Sequence, residues 1–431
     1  MTSWVDPSEL RAAFALGLSE MYAAEVPLYR TLLDTCALTN AAHAAGSLDS
    51  ETRVGTERHG AIRLGSMTEL AQIARLFSLF GMRAVGIYDL RDTTTSSLPI
   101  VATAFRPIST GELERSAFRM FTSVLVPSDR RFFDADTAAE IERRVAARTL
   151  LSQALVQMIE RCESLGGVPP EDADRFVDLS VDALRLDGAP LDLEWNHRLA
   201  DVSPVAADIA GAPSTHLNHL TPRVFDIDAT YACLAADGVE MIERIQGPPK
   251  WQGPPILLRQ TSFRALDETR RTIDASGRPG EESVRVRFGE VEQRGVALTR
   301  SGRALVDRLL AAETPLESEL PTDLAELARM GVAHVRFASV DGRPLAGDVW
   351  DAVAAGHVAV EGVTYEDFLP ASATGIFESN LAHAGARIEA ERTGTDTALT
   401  ELVAALGSVF DPHDLAAGVQ EMSLASVTGS R

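Results

Sequence analysis

Three places in the chain carry residue types that bind metals or anions. In RHGAIR, at the start of an expected strand, His59 and Arg63 lie four positions apart and so share a face of that strand. The His59 imidazole is a ready ligand for a divalent metal. A guanidinium further along the same wall grips a carboxylate with paired hydrogen bonds and keeps its charge when partly buried. In THLNHLTPRVF, His216 and His219 are three apart. On a strictly alternating strand they point to opposite faces, so one serves as ligand while the other orients it or caps the strand. In FGEVEQRGVAL, Glu290 and Glu292 are two apart and share a face with Arg294. A buried carboxylate needs a cation or a metal, so Arg294 can serve one of the pair while a metal takes the other. Each place alone also has an ordinary reading: a strand-end histidine beside a surface arginine, a structural histidine pair, an exposed salt-bridged face.

Two histidines and one carboxylate from separate strands make the facial triad that leaves open positions on non-haem Fe(II), where a chelating 2-oxo acid and O₂ can bind together. Zinc held by two histidines and a glutamate is the nearest alternative, although the HExxH signature of zinc proteases is absent. Spacing alone leaves open the metal, the choice between His216 and His219, and that between Glu290 and Glu292. The other histidines read as structural: His43, His357, His383 and His413 stand in polar or helix-edge settings, and His197 and His334 lack evident partners. No GxGxxG follows an expected strand and no GxxxxGK[ST] occurs, so nucleotide cofactors have no support.

Periodicity gives the elements that must hold these residues. Asp6-Pro7 reads as an N-cap with proline at the first helical position, opening a helical preface through Leu33 within residues 1–55. Residues 56–135 read as strand, helix and three strands: the strand around His59, a helix from the capping box Ser66-Met67-Thr68-Glu69 to Gly81, then AVGIYDL, IVATAFRPI and FRMFTSVLV. Residues 136–210 read as a helical insertion, with a long helix from a second capping box, Thr137-Ala138-Ala139-Glu140, to Cys162, and another over PEDADRFVDLSVDAL. Over 211–300 the first order returns: HLNHLTPRVF, the helix IDATYACLAAD, and the strands VEMIERI, PILLRQTSF and VRVRFGEVEQRGVAL. Residues 301–431 are mainly helical, interrupted by VAHVRFASV and the loop YEDFLPASATGIF. Paired units of this kind imply two curved sheets facing one another around a shared cleft, an α+β architecture rather than a doubly wound parallel sheet.

Composition narrows the partners. The 431 residues carry 40 Lys and Arg against 62 Asp and Glu, a formal charge of -22, and such a surface repels a phosphate backbone, which excludes nucleic acid. The 45% apolar and 24% charged content is that of an ordinary globular chain. Cys36, Cys162 and Cys233 have no zinc-type spacing and an odd count, so they read as reduced core thiols. No apolar run is long enough for a membrane helix, and MTSWVDPSEL has neither the basic start nor the apolar run of a signal peptide. A cytoplasmic location is the expectation.

The strings RHGAIR, THLNHLTPRVFDID, GPPILLRQTSF, RFGEVEQRGVALT and YEDFLPASATGIFESNL, spread from His59 to Leu381, resemble the 2-oxoadipate dioxygenase/decarboxylase family of the vicinal oxygen chelate superfamily. The resemblance implies two βαβββ modules forming a curved, barrel-like sheet around Fe(II), with additional helices. It implies O₂-dependent conversion of 2-oxoadipate to 2-hydroxyglutarate and CO₂, a step of lysine catabolism. It makes His59 and Glu290 ligands and Arg63 a substrate contact. Related dioxygenases carry a ligand histidine shortly before a run like Asp226-Ile227 and end on a strand like Glu290 to Arg294, which favours His219 over His216 and Glu290 over Glu292. His216, Glu292, Arg294 and Gln260 remain further site candidates. Ser372 is retained as a substrate contact, with Ala371 beside it. Ala371 stands where the family pattern has valine, and Thr374 where it has alanine, so pocket size is expected to differ. Other members of the superfamily are isomerases or lyases that use a divalent metal without O₂, and some bind ligands without catalysis; these are the alternatives.

Overall fold

The computed structural model describes residues 4–44, 49–92, 97–285, 287–342, 345, 347–369 and 397–429. Helix α1 (Pro7–Glu25) starts as expected, with the Asp6 carboxylate accepting the Ser8 amide. It does not run through Leu33. The chain breaks at Val26 and Pro27 and resumes as α2 (Leu28–His43), because Pro27 has no N–H and its ring disfavours helical backbone at the residue before it. A short helix, α3 (Glu51–Thr56), leads into β1 (Arg58–Leu64). Helix α4 (Met67–Leu79) follows, capped by the Ser66 hydroxyl accepting the Glu69 amide, while the Glu69 carboxylate reaches back to the Gly65 amide at 2.7 Å.

Strands β2 (Arg83–Asp89), β3 (Ile100–Arg106) and β4 (Arg119–Leu125) complete the first unit, with β4 returning parallel to β1. The two-residue strand β5 (Leu191–Asp192) precedes β6 (Leu217–Pro222), which pairs antiparallel with the free edge of β1. The resulting sheet has the order β2-β3-β4-β1-β6. Helix Ile227–Ala236 is followed by β7 (Leu258–Ser262), the hairpin of β8 (Asp267–Ile273) and β9 (Pro279–Arg285), and β10 (Glu290–Arg294), which pairs antiparallel with β7. A parallel bridge between Arg223 and Glu292, with the Val224 amide on the Glu292 carbonyl at 2.8 Å, sets the end of β6 beside β10. A last hairpin pairs β11 (Val335–Ser339) with β12 (Val358–Gly362). The architecture is α+β with mixed sheets, and among the described residues none of them closes into a barrel.

Three other expected elements differ. VEMIERI makes a single isolated bridge, Met241 with Phe263, and the next residue, Gln246, makes another with Gln260; the following GPPKWQGPP is rich in prolines that cannot donate to a ladder. VRVRFGEVEQRGVAL is split between β9 and β10. Just before β10 the backbone passes close to Phe263 at Gly289, where a Cβ would come within 2.0 Å of its ring. The long helix after the first unit starts at Ala135, capped by Asp134 rather than from Thr137, and divides into Ala135–Ala147 and Gln153–Leu165. The break frees Arg148 to pair with Glu69 at 2.6 Å and reach the Ile209 carbonyl, while Ser152 caps the second helix. Cys36 and Cys162 are buried, but Cys233 is exposed on its helix.

Helices pack on one another through aromatic contacts. Phe14 of α1 stacks on Phe80 at 4.5 Å, and Phe80 on Phe176 at 4.8 Å, all three buried. Burying each such ring stabilises by about 1.5–3 kcal/mol. No described helix is long and apolar enough to cross a membrane.

Candidate active site

Adjacent strands bring three ligand-type side chains to one point. His59 is on β1, His219 on β6 and Glu290 at the start of β10; all are buried, and one donor atom from each lies within 4.8 Å of the others. His59 Nε2 is 3.5 Å from Glu290 Oε2, and His219 Nδ1 is 3.5 Å from Glu290 Oε1. Gln260, opposite Glu292 on β7, donates its amide to Glu290 Oε2 at 3.2 Å, and the Thr221 hydroxyl donates to the same oxygen at 3.3 Å. These two bonds fix the rotation of the carboxylate. Phe368 packs edge-on to His59 at 5.0 Å, and Phe288 lies 5.2 Å from His219. The site is buried and these two rings are apolar, so charges inside interact more strongly than they would in water.

Glu292 does not join the three. Its Oε2 lies 2.9 Å from His59 Nδ1, and Arg294 grips both its oxygens at 2.8 and 2.9 Å. Alternation along β10 thus points Glu290, Glu292 and Arg294 to one side, and Arg294 satisfies the carboxylate that stands apart from the three converging donors. Behind Arg294 stands an ionic cluster. Glu57 pairs with Arg119 at 2.5 Å, Arg223 at 2.9 Å and Arg53 at 3.3 Å; Asp49 pairs with Arg223 at 2.6 Å and Arg53 at 2.7 Å. Glu366 joins Arg53 and Arg119.

Arg63 is buried on β1 and pairs with Asp208 from the helix Pro204–Ala210. Asp208 also accepts the Asn218 amide at 2.9 Å and lies 3.3 Å from His216 Nε2. Strict alternation does not explain why His219 and His216 part company. The β1–β6 register slips: Ala61 pairs with His219, but Ile62 pairs with Leu217, leaving Asn218 as an extra residue. Such a bulge resets the alternation, and position along the strand is what separates the imidazoles. His219 reaches Glu290, whereas His216 reaches Asp208 beside Arg63. The Tyr22 hydroxyl, from α1, lies 2.9 Å from the carbonyl oxygen of the bulged Asn218 and 2.8 Å from that of Phe288.

Burial lowers the His219 imidazole to about 4, outweighing the attraction of Glu290, so it is neutral and its lone pair is available near neutral pH. Burial also pulls His59 down, but Glu292 and Glu290 more than compensate and leave it raised. Burial pushes Glu290 up, yet His219 and His59 hold it below the usual carboxylate range. Glu292, despite burial, is drawn to about 2, chiefly by Arg294 and then His59.

The donor set fits a divalent metal. His219 Nδ1 is buried without a hydrogen-bond partner, an arrangement that costs free energy unless something binds there. Two imidazole nitrogens and a carboxylate suit a first-row transition metal and leave coordination positions open. Asp208, Asn218, Thr221, Phe288, Phe368 and Tyr22 were not foreseen from sequence. Asn218, inside the HLNH run, was the nearest to a visible signal. Ala371, Ser372, Thr374 and His383 lie outside the described residues. His197 has a partner after all, Glu282 at 3.3 Å, and His334 is buried away from the three ligand-type residues.

Residues 14–380 match the model of the family described as 2-oxoadipate dioxygenase/decarboxylase. A protein of that description from Mycobacterium tuberculosis is 48% identical over 381 residues, covering 86% of this chain and 87% of that one. The crystal structure of hydroxyglutarate synthase from Pseudomonas putida, in complex with 2-oxoadipate, superposes with a TM-score of 0.84 at 34% identity, over 100% of this chain and 99% of that one. A glyoxalase-superfamily protein from Ralstonia eutropha shares the fold alone, with a TM-score of 0.52 at 20% identity over 68% of this chain and 84% of that one.

Proposed function

The chain belongs to the 2-oxoadipate dioxygenase/decarboxylase family, and we propose on that premise that it converts 2-oxoadipate and O₂ to 2-hydroxyglutarate and CO₂ with Fe(II) held by His59, His219 and Glu290. One observation carries the reading: three buried donors from three strands converge within 4.8 Å. Fe(II) bound there supplies the positions at which a 2-oxo acid chelates and O₂ is activated for oxidative decarboxylation and hydroxylation. The balance closes without another reductant. The bond between the 2-oxo carbon and the carboxylate breaks to release CO₂; one oxygen atom of O₂ completes the new carboxylate, and the other enters the adjacent C–H bond as hydroxyl.

The protein's part is positioning. Arg63 holds the distal carboxylate of the diacid, which lowers the entropic barrier by fixing the chain over the metal. Gln260 and Thr221 lock Glu290, and Glu292 aims His59 through Nδ1, as carboxylates behind metal-binding histidines do. Phe368 and Phe288 keep bulk water from the reacting carbons. The reaction as written needs no protein acid or base. Ala371 and Ser372, shortly after Phe368 in sequence, are assigned to the substrate pocket on the family resemblance. We also read residues 56–135 and 211–300 as paired vicinal-oxygen-chelate modules meeting at β1 and β6. The parallel return of β4 to β1, and the parallel bridge from β6 to β10, support that reading.

An oxygen electrode tests the proposal. Fe(II)-loaded protein should consume O₂ with 2-oxoadipate in step with CO₂ release, and more slowly with shorter or longer 2-oxo diacids. No oxygen uptake with any of them rejects the dioxygenase assignment.

A further inference from the structure

We infer that Asp208 is a positioning residue which, with His216 and Asn218, sets the plane of the Arg63 guanidinium and thereby the preference for a 2-oxo diacid over a 2-oxo monoacid. The inference rests on the reading of Arg63 as the contact for the distal carboxylate. Three side chains converge on the largely buried Asp208 carboxylate: Arg63 from β1, Asn218 at 2.9 Å from the bulge of β6, and His216 at 3.3 Å just before β6. His216 and Asn218 also touch each other at 3.1 Å. The Thr215 hydroxyl donates to the Arg63 carbonyl at 2.8 Å, tying the backbone of the same pair of strands.

A guanidinium presents its N–H donors in a planar fork. A carboxylate that takes Nη1 therefore fixes the plane in which the others lie, provided that the carboxylate is itself held. Asp208 is held. Burial alone would raise its carboxyl, but His216 and Arg63 keep it lowered, so it stays ionised near neutral pH. Burial drives His216 to about 4, so the imidazole is charged only in the acid range where Asp208 titrates, and near neutral pH it adds no second charge to the clamp. None of these contacts is needed to hold a metal, since His216 and Asp208 are not among the three converging ligands.

Charge and position predict opposite signs, which makes the inference testable. Removing a carboxylate beside Arg63 leaves a stronger positive field, which by charge alone tightens binding of a dianion. Losing the orientation weakens it. The measurement is calorimetric titration of Mn(II)-loaded protein, under anaerobic conditions, with 2-oxoadipate and with 2-oxohexanoate, which ends in a methyl group. In Asp208→Ala the Kd for 2-oxoadipate should rise about tenfold to hundredfold, while that for 2-oxohexanoate moves by less than about twofold and Mn(II) stoichiometry is unchanged. Asp208→Asn, which keeps the shape and one acceptor, should fall between wild type and the alanine variant; it decides the matter if the alanine variant does not fold. Unchanged or tighter diacid binding in the folded variants overturns the inference, as does equal weakening for both acids. Wild-type protein that binds the two acids equally rejects the reading of Arg63 itself, and that result needs no variant.

Discussion

His216 and His219 carry the same imidazole three positions apart, and the fold gives them different work because different side chains face them. His219 sees Glu290, whereas His216 sees Asp208. His219→Ala is therefore expected to abolish metal occupancy and turnover, and His216→Ala to leave the metal bound while weakening diacid binding; metal content of the purified variants separates the two, and the reverse pattern means the ligand choice is wrong. Glu292→Gln keeps the volume but removes the charge facing His59 Nδ1, so metal affinity should fall by about 10–100-fold, read by competition with a chelator. At this scale the sequence was a good guide wherever spacing alone decides facing. The i, i+2 relation on β10 correctly put Glu290, Glu292 and Arg294 on one side, and it allowed Arg294 to take one carboxylate, as it does. Asp208 was out of reach, because a single aspartate on a short helix finds Arg63 only through tertiary packing.

Alternation failed on β6, and the bulge shows why: an inserted residue costs one backbone pairing and reverses the facing of everything beyond it. No residue type marks such a position. The bulge has a support that sequence reading missed. Tyr22 serves the carbonyl oxygens of Asn218 and Phe288, one residue before His219 and two before Glu290, so the helical preface acts as a brace for the site. Tyr22→Phe is expected to cost about 1–3 kcal/mol by leaving buried carbonyls unserved, measured as a lower denaturation midpoint, and to weaken metal binding without touching a ligand. An unchanged midpoint removes the brace from the account. Element boundaries missed for similarly local reasons: Pro27 breaks the first helix, the prolines after Gly247 stop a strand from forming a full ladder, and Ser152 restarts a helix that apolar spacing alone carries through.

Across the whole molecule, the ionic cluster joins the elements that carry the proposed metal ligands. Glu57 precedes β1, Arg119 is on β4, Arg223 follows β6, and Glu292 and Arg294 are on β10. Burial alone would raise the Glu57 carboxyl, but Arg119, Arg223, Arg53 and Arg294 hold it well below the usual range. A lowered folded value means that its stabilisation is fully present above the unfolded value, about 4.3, and is lost as pH falls through the folded one. Wild-type stability should therefore decline below about pH 4.3, and Glu57→Gln should flatten that decline while costing about 3–5 kcal/mol at neutral pH from unpaired buried arginines; urea titrations at several pH values read both. Composition hinted at none of this, because a net charge of -22 says nothing about which charges are inside. The α+β class and the strand-helix-three-strand order of the first unit were readable from period and caps, apart from the short helix Thr110–Arg115 between its last two strands, whereas how the sheets meet was not. The most direct test of the central claim is turnover of 2-oxoadipate under ¹⁸O₂ by the Fe(II)-loaded protein. The account predicts 2-hydroxyglutarate carrying one labelled atom in its new carboxylate and one in its hydroxyl; a product without label contradicts it.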